Sequence, residues 1–170
     1  ERLKVVFLDV GQGDSIFIEA PNGRQMLIDG GPDPSVLSQL SEVMPFGDRS
    51  IDLILMTHAD TDHIGGLYSV FENYKVKRVI ENGVTSETDN YKNLETKIIE
   101  DKVEKIIARR GMKILLDDDK NIYFDILFPD RDVSSLESND GSIVGKLIYG
   151  SQSFMFTGDA SLYTENLIEW

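Results

Sequence analysis

The chain contains no cysteine, which excludes disulfide bonds and metal sites built on thiolates. A chain without cysteine can function in a reducing or an oxidising compartment, so its cysteine count does not indicate the localisation. Long apolar runs are also missing, because no stretch approaches the length that crosses a bilayer. Basic residues are scarce, with 17 Lys and Arg against 30 Asp and Glu. The net charge of -13 excludes binding to nucleic acid or anionic membranes by charge attraction over a broad surface.

Histidine is nearly absent too, since the chain has only 2, and both occur in one short segment. Residues 57–66 read THADTDHIGG, which places His58, Asp60, Asp62 and His63 close together. This density favours a divalent cation, because a cation offsets the repulsion between neighbouring carboxylates and imidazole is a common metal ligand. The alternative is a solvated acidic turn that carries two incidental histidines.

The length of 170 residues with 41% hydrophobic content predicts a single domain that spans residues 1–170. No repeat, linker or low-complexity segment divides it. The first residue is Glu1 rather than Met, so we expect the native amino terminus of a longer protein to be missing.

Hydrophobic periodicity predicts a chain of mixed strands and helices. Residues 3–10, 15–20 and 25–29 are short apolar runs separated by turns that contain Gly or Pro, which predicts an antiparallel meander. Further strands are predicted at residues 51–56, 75–80, 113–116, 121–128, 142–149 and 152–157. Helices are predicted at residues 33–44, 67–73, 90–109 and 160–170, and the third has the clearest helical spacing. We expect the four ligand candidates to lie on the loop that follows the strand at residues 51–56.

Four separated segments resemble the motifs of one known family. They are FLDVGQGDS at residues 7–15, LIDGG at residues 27–31, HADTDHIGG at residues 58–66 and FMFTGD at residues 154–159. Together they resemble the metallo-β-lactamase fold superfamily. Within it they look most like the soluble domain of ComEC-like DNA-internalisation competence proteins and related stand-alone hydrolases. Those members have His-x-Asp-x-Asp-His where most of the superfamily has His-x-His-x-Asp-His.

The resemblance implies an αββα sandwich with a metal site at one edge between its two sheets. By the family pattern, His58 and Asp60 bind a first metal, Asp62 and His63 bind a second, and Asp159 bridges the two. Asp62 is also the expected catalytic residue, since it would orient the attacking water or accept its proton. The alternative role for Asp159 is the N-cap of the last predicted helix.

A polar Asn-Asp-Gly-Ser segment precedes the strand predicted at residues 142–149. The resemblance implies Asp140 as a further metal ligand and Asn139 or Ser142 as substrate-binding residues. Such a segment also forms a turn without any function, and this alternative stays open. Asp14 and Asp29 are expected to support the site by hydrogen bonds rather than to touch the metal.

One family feature is missing, because no histidine follows Asp159 and the second metal site lacks its usual last imidazole. The closing strand and helix of the fold are missing as well, so we expect a C-terminally incomplete sandwich with a partly open sheet. Three explanations are open: a piece cut from a longer protein, a gene fragment, or a domain completed by a partner or a second copy. Truncation is favoured, because the amino terminus also looks cut.

The resemblance implies metal-assisted hydrolysis by one or two divalent ions. Aspartate in place of one imidazole makes the first site richer in oxygen, which favours manganese or magnesium without excluding zinc. The main hypothesis is a phosphodiesterase or nuclease that acts on DNA, single-stranded DNA in particular, during uptake. The alternatives are a metal-dependent hydrolase of a small ester or lactam and a catalytically silent binding domain that retains the fold.

The partners and the location depend on the same resemblance. A competence-type protein implies a flanking membrane-channel domain and a location at the extracytoplasmic face of the bacterial membrane, whereas a stand-alone hydrolase would be cytoplasmic. Because this chain is acidic, we expect any DNA to be guided by the metals or by a companion domain.

Overall fold

The computed structural model describes residues 2–168, and its main feature is a pair of β-sheets packed face to face. Within these residues the strands are β1 Lys4–Phe7, β2 Ile16–Glu19, β3 Gln25–Ile28, β4 Ser50–Ile51, β5 Leu53–Leu55, β6 Lys75–Val76, β7 Arg78–Glu81, β8 Glu104–Ile107, β9 Lys113–Asp117, β10 Ile122–Phe128, β11 Val144–Tyr149 and β12 Gln152–Phe156. The helices are α1 Val36–Val43, α2 Thr61–Ile64, α3 Leu67–Asn73, α4 Asp89–Glu100 and α5 Leu162–Glu165, and a 3-10 turn spans Asn139–Gly141.

The larger sheet has the strand order β1-β2-β3-β5-β7-β8, and the smaller has the order β12-β11-β10-β9. β1, β2 and β3 pair as antiparallel neighbours, so the predicted meander is confirmed. β3, β5, β7 and β8 run parallel, which brings their carboxyl ends to one edge of the sheet. The short strands β4 and β6 pair with each other in a separate ladder.

Two hydrophobic cores lie on opposite faces of the larger sheet. Phe17 of β2 belongs to the core shared with α1, α3 and α4, whereas its neighbours Ile16 and Ile18 belong to the core between the two sheets. β3 and β5 are buried on both faces, which explains their continuous apolar sequence. The predicted mixed α/β sandwich is thus confirmed, and α5 packs against the 3-10 turn near the end of the smaller sheet.

The long helix predicted at residues 90–109 is wrong in its second half. α4 ends at Glu100, and Lys102 adopts a left-handed backbone with a φ of 54°. The next segment forms β8, which pairs in parallel with β7. Its β-branched residues fit the edge of the sheet, and this long-range pairing outweighs their helical spacing.

The ligand segment is not entirely a loop, contrary to expectation. One helical turn, α2, begins after its N-cap Asp60. Asp62 and His63 therefore lie on a helix, while His58 and Asp60 precede it. Periodicity did not predict this turn, because four residues are too few to show an apolar repeat.

Element ends differ in smaller ways. The strands predicted at residues 51–56 and 75–80 are each divided into two short strands. The helix predicted at residues 160–170 is limited to α5 in the described part of the chain, and residues 169–170 lie outside it. Within residues 2–168, no helix is long and apolar enough to span a membrane.

An ion-pair cluster with one buried carboxylate, Glu81, links β8 to β7 and to α4. Lys105 Nζ lies 3.1 Å from Glu81 Oε1 and 2.6 Å from Glu95 Oε2. Burial raises the pKa of Glu81, and the charge of Lys105 opposes that rise. We expect Lys105→Met to lower the free energy of unfolding by about 1–2 kcal/mol, because the mutation leaves the buried Glu81 carboxylate without its counter-charge, while solvent screens the partly exposed lysine. Urea denaturation at neutral pH measures this loss.

The control variant adds Glu81→Gln to Lys105→Met. Because the second change removes the stranded charge, the double variant should regain most of the lost stability. A Lys105→Met protein with the wild-type denaturation midpoint would contradict the assignment.

Candidate metal centre

The candidate site lies where neighbouring parallel strands of the larger sheet end. Asp29 directly follows β3, and His58 lies just beyond β5. α2 then brings His63 back to the same edge, and Asp159 arrives from the smaller sheet shortly after β12. Ligand sites in open parallel sheets lie at this carboxyl edge, because the loops that follow the strands converge there.

The Asp29 carboxylate supports this edge from inside the protein. Asp29 is fully buried, and its backbone is left-handed with a φ of 55°. It accepts hydrogen bonds from the Thr57 amide at 2.8 Å, the Thr57 hydroxyl at 2.6 Å and Nδ1 of His63 at 2.8 Å. These contacts fix the orientation of the ligand segment, as outer hydrogen bonds do in known metal sites.

The two imidazole rings lie against each other, with their centroids 4.1 Å apart. His63 Nε2 lies 3.3 Å from Asp159 Oδ1, and His58 Nε2 lies 3.7 Å from Asp60 Oδ2. Among the described residues, the buried His58 Nε2 has no hydrogen-bond partner. A buried polar atom left unpaired costs free energy, and a cation would satisfy it. The residues present therefore fit a divalent metal.

Two groups of three side chains bring their ligand atoms within 4.8 Å of one another. The groups are Asp29, His58 and His63, and Asp14, His63 and Asp159. We expect Asp14 to support the site by hydrogen bonds, but its carboxylate lies close enough to His63 and Asp159 to contact the same metal ion. Asp159 lies beside His63, and the N-cap of α5 is Ser161 instead.

The acidic surroundings of His63 raise the pKa of its imidazole ring. Burial lowers the pKa of His63, but the hydrogen bond to Asp29 and the charges of Asp29, Asp159 and Asp14 outweigh burial and raise that pKa to about 9. Burial and the charge of His63 lower the pKa of His58. Burial raises the pKa of Asp14, although the charge of His63 opposes this. Without a metal, His63 is therefore protonated at neutral pH.

We expect metal binding to displace the proton of His63, because a ligand imidazole must be neutral. With a pKa of about 9, the apparent affinity should rise by about tenfold per pH unit between pH 6.5 and 8.5. Calorimetric titration with Mn²⁺ in buffers of different ionisation enthalpy counts the protons released. Release of about one proton is expected, and an affinity that does not change with pH would contradict the assignment.

Asp62 contacts the loop between β1 and β2. Its Oδ2 accepts a hydrogen bond from Gln12 Nε2 at 3.1 Å. Gly13, with a φ of 71°, lets this loop close on α2, because a Cβ there would lie 1.8 Å from the Asp62 carbonyl oxygen. Sequence reasoning missed the contact of Gln12, and the available signal was its position between two glycines.

The Asn-Asp-Gly-Ser segment lies beside the site, and its residues make other contacts. The Asp140 carboxylate accepts a hydrogen bond from the Ser161 hydroxyl, and its carbonyl accepts one from Thr164 Oγ1. Asn139 is exposed, whereas Ser142 is fully buried. Asp140, Asp60 and Asp62 belong to neither close group of ligand atoms. The ligand and substrate roles of these residues stay predictions.

Comparison with known proteins decides the family. The pattern of the Metallo-beta-lactamase superfamily matches residues 8–169 of this chain. The chain belongs to the metallo-β-lactamase superfamily. This is a family of metal-dependent hydrolases, so the predicted family and enzyme class are confirmed.

Within the superfamily, the chain is similar to ComE operon protein 3 of Bacillus subtilis (strain 168), with 33% identity over 174 residues. The match covers 92% of this chain but 22% of that protein. This chain therefore spans about a fifth of the length of its relative. The predicted likeness to competence-type members is confirmed.

Solved structures share the fold. A metallo-β-lactamase with a HARLDQ motif from Cronobacter sakazakii superposes with a TM-score of 0.61 at 17% identity, over 90% of this chain and 58% of the other. The metallo-β-lactamase fold protein YhfI from Bacillus subtilis gives a TM-score of 0.56 at 15% identity, over 91% of this chain and 61% of the other. At such identities the likeness shows the fold alone.

Proposed function

We propose that this domain is a divalent-metal-dependent phosphodiesterase or nuclease that acts on DNA during uptake. The observation that carries the proposal is the convergence of His58, His63 and Asp159, with His58 Nε2 buried and without a hydrogen-bond partner among the described residues. The likeness to ComE operon protein 3 across most of the chain supports DNA uptake as the context.

In the proposed site, the ligands would form two sets that share the Asp159 carboxylate, whereas the side-chain groups that lie close together share His63. His58 and Asp60 would hold the first ion, His63 and Asp62 the second, and Asp159 would lie between them. Asp14 lies near His63 and Asp159 and would offer the second ion a further carboxylate in place of the missing last imidazole. A shared anionic ligand favours two ions at close range, because it offsets their mutual repulsion.

The protein's own groups orient the reactants and accept a proton. A bound divalent ion would lower the pKa of water toward neutrality and polarise the phosphodiester. Asp62 is only half-buried and therefore within reach of water, and Gln12 holds one of its carboxylate oxygens. This arrangement suits Asp62 as the group that orients the attacking water and accepts its proton.

The chemistry of the ligand set supports manganese over zinc. The candidate ligands are two imidazoles and several carboxylates, and the chain contains no cysteine. Oxygen-rich sites favour manganese and magnesium, whereas imidazole nitrogens disfavour magnesium relative to transition metals. Manganese is thus the proposed metal, and zinc is the second choice.

The charge of the chain limits how it meets DNA. A net charge of -13 repels a polyanion over most of the surface, so the metals must provide much of the local attraction. In the proposed setting, a flanking membrane-channel domain delivers single-stranded DNA at the extracytoplasmic face of the membrane. This setting explains how an acidic domain encounters its substrate.

The test is cleavage of end-labelled single-stranded and double-stranded DNA by the purified protein with Mn²⁺, Mg²⁺ or Zn²⁺. His58→Ala is the inactive variant, and Asp118→Asn, in an exposed turn, is the matched control. Mn²⁺-dependent cleavage that His58→Ala abolishes and Asp118→Asn retains is the expected result. Hydrolysis of a small ester or lactam without DNA cleavage would contradict the nuclease proposal, and metal-free, inactive protein would favour a silent binding domain.

A further inference from the structure

The Thr57 hydroxyl lies between Asp29 and His58, deep inside the site. Thr57 Oγ1 lies 2.6 Å from Asp29 Oδ2 and 2.9 Å from Nδ1 of His58. All three side chains are essentially buried, with exposed fractions of 0% for Asp29, 1% for Thr57 and 1% for His58. Water therefore does not compete for these hydrogen bonds, and their donors and acceptors can be counted.

The count determines where the protons lie. The Asp29 carboxylate already accepts from the Thr57 amide and from His63 Nδ1, so in the 2.6 Å contact the hydroxyl of Thr57 donates to it. The hydroxyl has one proton, and its oxygen can then only accept from the His58 ring. Nδ1 of His58 must accordingly carry the ring proton. The reverse orientation would place two unprotonated oxygens 2.6 Å apart in a dry interior.

The other ring nitrogen agrees with this assignment. With the proton on Nδ1, His58 Nε2 presents a lone pair, and this buried atom has no hydrogen-bond partner among the described residues. A lone pair left in this way suits a metal ligand. The opposite tautomer would place an N–H at this point, and its nearest carboxylate oxygen, Oδ2 of Asp60, lies 3.7 Å away, beyond hydrogen-bond range.

We propose that Thr57 is a positioning residue whose hydroxyl connects Asp29 to His58 and fixes the Nδ1–H tautomer of that ring. One carboxylate then orients both imidazoles, since Asp29 contacts His63 directly and reaches His58 through Thr57. This inference builds on the proposed metal site, because the consequence of the tautomer is a metal-ready Nε2.

The backbone at Gly158 approaches Thr57 closely. A Cβ on Gly158 would lie 2.9 Å from both the Cβ and Oγ1 of Thr57, so the absence of a side chain at Gly158 leaves room for the hydroxyl. Valine matches threonine in shape but lacks the hydroxyl, and serine keeps the hydroxyl without the methyl group. The two substitutions therefore separate hydrogen bonding from packing.

Nitrogen NMR of the metal-free protein reads the tautomer directly. The chain has 2 histidines, so the spectrum of an untagged sample contains two imidazole systems, and His58→Gln assigns them. We expect His58 in the wild type to show a protonated Nδ1 and an unprotonated Nε2. Thr57→Val should remove that preference, and Thr57→Ser should restore it. Mn²⁺ affinity should fall by about 10- to 100-fold in Thr57→Val and recover in Thr57→Ser.

Retention of the wild-type tautomer in a folded Thr57→Val protein would overturn the inference, and so would an Nε2–H tautomer in the wild type. Thermal denaturation identifies a variant that fails to fold, and the wild-type and Thr57→Ser spectra then still decide the question. If the wild type shows the expected tautomer but binds no metal, the proposed function fails while the role of Thr57 in the tautomer stands.

Discussion

Replacement of Asp62 by asparagine is expected to lower kcat for DNA cleavage by about 10²- to 10⁴-fold, the usual range for a lost general base. The amide keeps the size and the oxygen that accepts from Gln12, which lies 3.1 Å from Asp62 Oδ2 in the wild type. It loses the negative charge that would accept a proton. Steady-state kinetics with end-labelled DNA at saturating Mn²⁺ measure the change.

The matched control is Asp118→Asn, which removes one negative charge from an exposed turn. It corrects for the small gain in DNA binding that any loss of negative charge brings. Because Asp62 is also a candidate ligand, Mn²⁺ stoichiometry is measured in parallel to separate lost chemistry from lost metal. Activity of Asp62→Asn within about threefold of the wild type would contradict the assigned role of Asp62.

Asp29→Ala should be the most destabilising single substitution in the site, with a loss of about 3–5 kcal/mol in the free energy of unfolding. The change removes the acceptor for the Thr57 amide, the Thr57 hydroxyl and His63 Nδ1, all in the interior. It also places alanine at a φ of 55°, where a side chain with no local hydrogen bond is strained. Urea denaturation of the metal-free protein gives the difference.

Asp29→Asn is the comparison that separates the backbone from the carboxylate. Asparagine tolerates the left-handed backbone better than alanine does and keeps one acceptor oxygen, so a smaller loss of stability is expected. Its single oxygen cannot replace both carboxylate oxygens, so either the Thr57 amide or the pair of Thr57 Oγ1 and His63 Nδ1 loses its acceptor. Mn²⁺ affinity should therefore still fall by about 10- to 100-fold. Equal stability of Asp29→Ala and the wild type would show that Asp29 does not support the site.

The sequence predicted those elements whose signal is local. β3 and β5 are apolar on both faces, and the meander of β1 to β3 has Gly- or Pro-containing turns between its strands. The candidate metal site was predictable because both histidines occur between residues 58 and 63. The four motifs then indicated the family, and the match over residues 8–169 agrees with them.

Features that depend on distant contacts could not be predicted in this way. The apolar spacing of residues 104–107 predicts a helix, whereas they form β8, because the pairing with β7 exists only in three dimensions. The role of Thr57 depends on Asp29, 28 positions earlier in the chain. Gln12 likewise lies 50 positions from Asp62. A sequence pattern places residues near a site, but it does not show which side chain donates a hydrogen bond to which acceptor.

The central claim is that acids and imidazoles around His58 and His63 converge to hold a divalent ion. Anomalous diffraction from crystals grown with Mn²⁺ tests this claim most directly. We predict an anomalous peak within about 2.0–2.5 Å of Nε2 of His58 or His63 and of an oxygen of Asp159. A fully ordered site in which these atoms have no peak between them, at saturating Mn²⁺, would contradict the claim.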